Sequence, residues 1–216
     1  MLVLVVLAAV GWWLQRQGFE FDSLGTSVST ADGDGHGEDH RAGYDRKDWP
    51  HWSDVDGDCQ DTRQEVLIAE SEIPVTFKTS RRCKVSKGRW RCPYTGRTFT
   101  DPRKLDVDHL VPLAEAHRSG GHAWDRDRRG RYANELGRSE HLVAVEAGSN
   151  RAKADKGPDA WMPADKGYRC EYLEAWRAVK EQWRLHMDAD ERRYVGQAQQ
   201  TCEQGKVPAL PPGQRR

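Results

Sequence analysis

Short runs of alternating hydrophobic and polar residues divide this chain into small helices and strands. The run TRQEVLIAESE places Val66, Leu67 and Ala69 at helical spacing and predicts a helix of about three turns that begins near Thr62. Thr62 and Glu65 have the spacing of a capping box. Extended, β-type patterns follow in PVTFKTS (74–80), GRWRCPYTGRTFT (88–100), LDVDHLVPL (105–113) and HLVAVEA (141–147).

Helical patterns dominate the second half of the chain. AWDRDRRGRYANEL (123–136) is predicted to be helical, and SNRAKADK (149–156) opens another helix with Ser149 as its N-cap. Two amphipathic helices are predicted at 168–187 and 188–204. The first of these places four large hydrophobic side chains on one face: Tyr172, Trp176, Val179 and Trp183. The order of elements therefore predicts an α+β domain.

The two ends of the chain differ from its middle. Thirteen apolar or small residues, 2–14, are too few for a membrane span of about 20 residues, so 1–18 is predicted to be a signal peptide or a short membrane anchor. A flexible linker rich in Gly, Asp and Ser is predicted over 19–43, a folded domain over 44–206, and a disordered tail over 207–216. Either reading of the leader predicts an exported protein, extracellular or tethered at the outer face of the cell.

Charge is unevenly distributed although the formal net charge is zero. Between Asp22 and Asp58 there are ten acidic residues and three basic ones, whereas between Lys78 and Arg131 there are fifteen basic residues and six acidic ones. The electropositive middle suits a polyanion such as nucleic acid. A solvated surface with scattered Lys and Arg is the alternative interpretation.

Five cysteines agree with an oxidising compartment. Cys170 and Cys202 flank two predicted helical segments and are predicted to link them. Of the other three, Cys83 and Cys92 would close a hairpin, while Cys59 and Cys83 would join the first helix to the first strand. The sequence alone does not decide between these two pairings. The chain has no CxxC pair, so a structural zinc site has little support.

Polar residues of the types that act in catalysis lie in two segments that the predicted topology can bring together. Asp108 and His109 end an extended segment, and Asn150 follows the strand HLVAVEA on the first turn of a helix. An antiparallel strand pair with the helix packed across it places Asn150 opposite the Asp108-His109 dipeptide. Carboxylate and amide oxygens suit Mg²⁺, and an uncoordinated imidazole suits a general base near neutral pH.

These residues resemble a known family. DVDHLVP together with SNRAKAD resembles the motif of HNH, or ββα-metal, endonucleases, and the stretch from DGDCQDTRQEVL to Cys202 is similar to secreted actinobacterial HNH proteins related to the C-terminal domain of GmrSD restriction endonucleases. The resemblance implies a ββα-metal core with flanking helices. It also implies His109 as general base, Asp108 and Asn150 as ligands of one divalent ion, and a phosphodiester substrate: DNA first, with RNA as the alternative. Mg²⁺ is the expected ion, and Mn²⁺ and Ca²⁺ are alternatives.

Several further residues are assigned roles on weaker grounds. His141 stands where the CRISPR-type HNH pattern has an Asn that orients the loop; it could take that role, coordinate the metal, or be a surface histidine. Asn134 could hold His109 through a hydrogen bond. Basic side chains near the predicted site could contact phosphates: Arg63, Arg151, Lys153 and Lys156.

A non-enzymatic function remains as the alternative. In DVDGDCQDTRQE, acids at Asp54, Asp56 and Asp58 occupy positions 1, 3 and 5 of a loop with Glu65 at position 12, as in calcium-binding loops. Its glycine stands at position 4 instead of 6, which argues against that interpretation. The alternative protein would be an exported, disulfide-linked envelope module that binds calcium or a partner. No small-molecule cofactor is predicted, and the sequence does not indicate an oligomeric state.

Overall fold

The three-dimensional structure, a computed structural model, describes residues 43–214. The predicted leader (1–18) and the predicted linker up to residue 42 lie outside the described residues. Within the described part of the chain, no helix combines the length and the apolar character that a membrane span requires.

Six α-helices and six short strands make up the described domain. The helices are α1 (Thr62–Ala69), α2 (Leu113–Arg118), α3 (Arg126–Ala133), α4 (Ala147–Lys153), α5 (Arg169–Trp183) and α6 (Ala189–Glu203). The strands are β1 (Thr76–Phe77), β2 (Val85–Lys87), β3 (Trp90–Arg91), β4 (Thr98–Phe99), β5 (Leu105–His109) and β6 (Leu142–Glu146). Short 3₁₀ turns lie at Arg46–Asp48, Pro102–Lys104, Gly121–Ala123 and Lys166–Tyr168.

The strands form three separate antiparallel pairs, β1 with β2, β3 with β4, and β5 with β6. The last pair is the longest and brings together parts of the chain that lie almost forty residues apart. Its register opposes Leu105 to Glu146, Asp108 to Val143 and His109 to Leu142. Helix α4 follows β6 directly and packs against both strands. The mixed α+β architecture predicted from the sequence is therefore confirmed, with small sheets.

One hydrophobic core connects these elements. The first four residues of β6, Leu142 to Val145, are all buried, which explains why this strand reads as a continuous apolar run instead of an alternating one. The predicted apolar face of α5 is also buried, with Tyr172 and Trp176 fully inaccessible to solvent. Because the core closes around the β5–β6 pair, the polar residues at the end of β5 are held in a fixed place.

Two disulfides join distant parts of the domain: Cys170–Cys202 links α5 to α6, and Cys59–Cys83 links the segment before α1 to the start of β2. Cys92 is a buried free thiol. Of the two pairings that the sequence left open, Cys59–Cys83 is formed and Cys83–Cys92 is not. The loops span 24 and 32 residues. By loop-closure entropy each bond contributes about 3 to 4 kcal/mol to stability.

Helices α1 and α4 differ from the prediction, α1 in its capping residue and length and α4 in its first residue. Helix α1 begins at Thr62 as expected, but its N-cap is Asp61, whose Oδ1 accepts the N–H of Gln64. The Thr62 hydroxyl instead donates to the carbonyl of Ser53. The helix also has eight residues, which is closer to two turns than to three.

Helix α4 begins at Ala147, two residues before the predicted cap. Ser149 therefore lies inside the helix, and its hydroxyl donates to the carbonyl of Glu146. The short helix α2 was not predicted. The earlier start of α4 does not change the expected location of Asn150, which still lies on the first turn of this helix.

Residues 207–214, the described part of the tail that was predicted to be disordered over 207–216, contact the rest of the domain. Buried Arg169 donates to the carbonyl of Pro208 at 2.8 Å. Gln214 exchanges two hydrogen bonds with the backbone of Met162, at 2.7 Å each. These bonds hold the segment against the domain, and two of its prolines, Pro208 and Pro211, are buried.

Candidate functional site

The end of β5 and the first turn of α4 meet at one cavity. Antiparallel pairing of β5 with β6 brings the start of α4 beside the last residues of β5. Asp108, His109 and Asn150 all line a cleft of about 630 Å³. The sequence-based expectation that these three residues converge is therefore matched by their positions.

His109 is buried, and its ring is held in one tautomer. Its Nε2 lies 2.9 Å from the carbonyl oxygen of Ala133. A carbonyl oxygen only accepts, so Nε2 carries the proton and Nδ1 keeps its lone pair. The ring stacks on Trp52, with centroids 5.6 Å apart, and lies nearly parallel to the ring of Tyr132, with centroids 6.4 Å apart. Burial, together with nearby His141, lowers the pKa of His109 well below its usual value, so the imidazole is neutral at pH 7.

Asp108 is buried in an ion pair. Its Oδ2 accepts from the Tyr94 hydroxyl and from Lys153 Nζ, both at 2.7 Å. Burial raises the pKa of Asp108 above its usual value, while Lys153 and Tyr94 oppose that shift. Both donors contact the same oxygen. Among the described residues, none donates a hydrogen bond to Oδ1.

Asn150 is oriented by a second carboxylate of β5. Its Nδ2 donates to Asp106 Oδ2 at 3.1 Å. Since a carboxylate can only accept, the amide nitrogen faces Asp106 and the amide oxygen is left for another partner. Asp106, which the sequence did not single out for a role, thus fixes the direction of the Asn150 carboxamide.

Lys153 was predicted to contact phosphate, and this prediction is wrong because its side chain is fully buried. Its Nζ donates to Asp108 and to the carbonyl of His109 at 3.1 Å. Arg151, by contrast, is exposed and lines the cleft. Lys156 is exposed, donates to the carbonyl of Ala152, and is not among the residues that line the cleft.

His141 is neither a surface residue nor a cleft residue, and its side-chain bond to a backbone carbonyl fits the predicted loop-orienting role, whereas Asn134 does not bond to His109. His141 is buried and bonds through Nε2 to the carbonyl of Tyr132 at 2.8 Å, outside the residues that line the cleft. Burial lowers its pKa to about 4. Asn134 was expected to hold His109, but that bond comes from the carbonyl of the preceding residue, Ala133. The Asn134 side chain instead ties the backbone of Pro50 and Ser53 to α3.

Arg63 also lies away from the cleft. Its Nη2 donates to the carbonyls of Pro102 and Leu105, at 3.1 and 3.0 Å, near the start of β5. It lines a different cavity, together with Lys78, Lys84 and Lys87.

Comparison with known proteins identifies the family. The model of the family described as GmrSD restriction endonucleases, C-terminal domain, matches residues 61–194. The chain belongs to this family. The similarity to GmrSD C-terminal domains inferred from the stretch between DGDCQDTRQEVL and Cys202 is thereby confirmed.

One curated relative of the GmrSD C-terminal domain in this chain is an uncharacterized secreted protein of Arthroderma benhamiae. It is 34% identical over 160 residues, which cover 74% of this chain and 76% of that protein. No solved structure matches the chain.

A segment that precedes the matched GmrSD C-terminal domain region contributes to the cleft. Tyr44 and Arg46 line it beside Asp108 and Asn150. From the same segment, Trp52 stacks on His109 and has a positive φ of 60°. A positive φ is costly for a tryptophan and persists only where surrounding contacts enforce it. Sequence reasoning missed these residues because no pattern in a single sequence pairs residues 44–52 with β5.

The side chains of the cleft fit a divalent cation. Mg²⁺ binds hard oxygen ligands and keeps several waters, so one or two protein oxygens are enough. Asp108 Oδ1 and the Asn150 amide oxygen are the two side-chain oxygens whose hydrogen-bonding partners, among the described residues, leave them available. The ion pair with Lys153 offsets part of the Asp108 charge, which favours weak, exchangeable binding over a permanent structural ion.

The acidic loop that suggested calcium is present as a cluster. Ligand oxygens of Asp54, Asp56 and Asp58 lie within 4.8 Å of one another, and all three residues are exposed. All three carboxylates already accept backbone N–H groups of their own loop: Asp54 from Gly57 and Cys59, Asp56 from Asp58, and Asp58 from Gln60. Exposed carboxylates in such turns are common without an ion, so the cluster by itself supports no function.

Proposed function

We propose that this protein is a metal-dependent endonuclease of the HNH, or ββα-metal, type that hydrolyses phosphodiester bonds. The observation that carries the proposal is a neutral imidazole with a free Nδ1 in the same cleft as Asp108 and Asn150. Membership in a family of restriction endonuclease domains supports a nucleic-acid substrate. DNA is the first candidate and RNA the second.

His109 acts as the general base. Its Nδ1 accepts the proton of the attacking water, and the bond from Nε2 to Ala133 keeps the ring in the required tautomer. Stacking with the rings of Trp52 and Tyr132 prevents the ring from rotating away from the cleft. Such proton transfer contributes about 10² to 10⁴-fold to rate.

Asp108 and Asn150 hold one divalent ion, with Mg²⁺ as the first candidate and Mn²⁺ and Ca²⁺ as alternatives. When bound, the ion supplies Lewis-acid stabilisation of the negative charge that develops on the phosphate. The chain itself positions both ligands: Lys153 and Tyr94 fix Asp108, and Asp106 fixes Asn150.

Two guanidinium groups at the cleft, Arg46 and Arg151, bind the phosphate oxygens. Arg46 comes from the N-terminal segment and Arg151 from α4, so they approach the substrate from different elements. Arginine forms paired hydrogen bonds to phosphate and stays charged at every relevant pH. Because these contacts address phosphate and not base edges, weak sequence preference is expected.

Export is part of the proposal. Two disulfides form in this domain, and they persist only in oxidising compartments. The relative in Arthroderma benhamiae is named as secreted. The enzyme would then act on nucleic acid outside the cell or at its outer face.

Plasmid nicking tests this function. Supercoiled DNA is incubated with the protein and Mg²⁺, Mn²⁺ or Ca²⁺, with EDTA as the metal-free arm and a structured RNA as the second substrate. We expect metal-dependent nicking that His109→Ala reduces by 10² to 10⁴-fold. His122→Ala is the matched control, since this exposed histidine does not line the cleft. Nicking that is equally fast in both variants would remove His109 from the mechanism.

A further inference from the structure

The β1–β2 and β3–β4 region is strongly basic. Between Ile73 and Thr100 the sequence has eight Lys and Arg residues and no Asp or Glu. Most arginines of this region already have partners: Arg89, Arg91 and Arg97 form ion pairs, and Arg82 stacks on Phe77. The lysines differ from them. Three exposed ones have no ion pair within the described residues: Lys78, Lys84 and Lys87.

These lysines face one cleft. It has a volume of about 610 Å³, and Arg63 and Arg103 also line it. The two acidic residues that line the cleft, Asp61 and Asp101, already have partners within the protein. Asp61 caps α1, and Asp101 pairs with Arg103. Positive charge in the cleft therefore exceeds negative charge, five cations to two acids.

Arg63 gives the cleft a fixed cation. Its Nη2 is held by the carbonyls of Pro102 and Leu105. The Nε and Nη1 hydrogens have no acceptor among the described residues and are left for a ligand. A guanidinium that is already anchored loses little conformational freedom when it binds a phosphate.

The cleft has a defined distance from the proposed catalytic centre. Arg63 contacts Leu105, the first residue of β5, and His109 is the last residue of the same strand. Four residues of strand span about 13 Å. Successive phosphates of one strand advance about 3.4 Å along the helix axis and also rotate around it, so a phosphate chain that passes the catalytic centre reaches the cleft within a few nucleotides.

We propose that this cleft, lined by Arg63, Lys78, Lys84, Lys87 and Arg103, is a second nucleic-acid contact site that binds the phosphate backbone a few nucleotides from the scissile bond. The proposal rests on the proposed function, because it assigns the same substrate to both sites. The three lysines come from the β1–β2 hairpin, and the two arginines lie near the start of β5. Cations that line a concave site suit a single chain of phosphates, whereas a lipid surface is flat and contacts convex faces.

Binding measurements separate this site from catalysis. Affinity for a fluorescent 20-base-pair duplex and a 20-nucleotide single strand is measured in EDTA, where metal-dependent cleavage does not occur, over a range of salt concentrations. The test variant is Lys78→Gln/Lys84→Gln/Lys87→Gln. The control variant removes three exposed positive charges away from the cleft: Lys166→Gln/Arg177→Gln/Lys206→Gln. Thermal melts of both verify that they fold.

We expect the test variant to bind duplex 10- to 100-fold more weakly at 0.1 M salt, with the slope of log K against log salt reduced by about 3. The control variant should bind like the wild type. Equal losses in the two variants would overturn the proposal, because net charge and not the cleft would then explain binding. Binding of phosphatidylglycerol vesicles, but of neither nucleic acid, would overturn it as well.

Failure of the proposed function has a different signature. If the wild-type protein binds DNA through the three lysines but never cuts it, the proposed nuclease function is refuted and the proposed binding cleft still stands. Bis(4-nitrophenyl) phosphate is a substrate too small to reach the cleft. If the wild-type protein hydrolyses it but shows no lysine-dependent binding of nucleic acid, the proposed cleft is refuted and the proposed phosphodiesterase activity still stands.

Discussion

Glu70 offers a quantitative test of the packing that holds the site. Its Oε2 accepts the N–H of Ala144 in β6 at 2.9 Å, so a partly buried carboxyl group lies beside the strand that leads into α4. Burial raises the pKa of Glu70 from 4.5 to about 7, and the bond from Ala144 opposes this only partly. No basic side chain pairs with Glu70 in the described part of the chain.

The sign of the pH effect follows from proton binding. Between pH 4.5 and 7 the unfolded chain loses the Glu70 proton while the folded protein keeps it, so the free energy of unfolding falls as pH rises. One pKa unit corresponds to about 1.4 kcal/mol, and the loss is therefore about 3 kcal/mol once the pH exceeds 7. Below pH 4.5 both states are protonated and the penalty disappears.

Glu70→Gln removes the penalty, because the amide oxygen can still accept the N–H of Ala144 while carrying no charge. Relative to the wild type, we expect the variant to gain about 1 kcal/mol at pH 5 and about 3 kcal/mol at pH 8. Urea denaturation followed by tryptophan fluorescence measures both values. Glu174→Gln, at an exposed position of α5, is the matched control. A stability difference for Glu70→Gln that is the same at both pH values would refute the reasoning.

Three further substitutions test the site. His109→Gln should lower the rate of plasmid nicking by at least 10²-fold while the protein stays folded; retention of most of the rate would contradict general-base catalysis. Arg46→Ala should lower kcat by about 10-fold or more, with Arg46→Lys restoring only part of it, because lysine lacks the paired donors; full activity in both would exclude a role for this cation. Lys153→Met should cost about 3 to 5 kcal/mol in urea unfolding because it leaves Asp108 buried without its partner, and adding Asp108→Asn should recover part of the loss. An unchanged midpoint in the single variant would show that the ion pair does not stabilise the fold.

The elements that place the site were predictable because their patterns are strong. The segments LDVDHLVPL and HLVAVEA are apolar runs bounded by polar turns, and they form β5 and β6. Helix α2 was missed since Pro112 biases its neighbours towards extended structure, yet here it stands as the residue just before a six-residue helix.

The roles of individual polar residues were harder to predict. From residue type alone, Lys153 is expected at the surface. Its spacing from Asn150 nevertheless indicates its position, because residues three apart share one face of a helix, here the face that meets β5. The bond to His109 comes from a backbone carbonyl, that of Ala133, which no residue identity reveals. Trp52 reaches His109 from 57 positions away along the chain, a pairing that only tertiary structure determines.

The stacking of Trp52 on His109 affects how the domain should be excised for study. A fragment limited to residues 61–194 would include Asp108, His109 and Asn150 but not Tyr44, Arg46 or Trp52, and it would also leave Cys170 without Cys202. One face of the imidazole would then be open to water, and its pKa would move back towards that of free histidine. Expression from Gly43 to Gln214 keeps the pieces together, so the recombinant boundary should follow the contacts rather than the homology match.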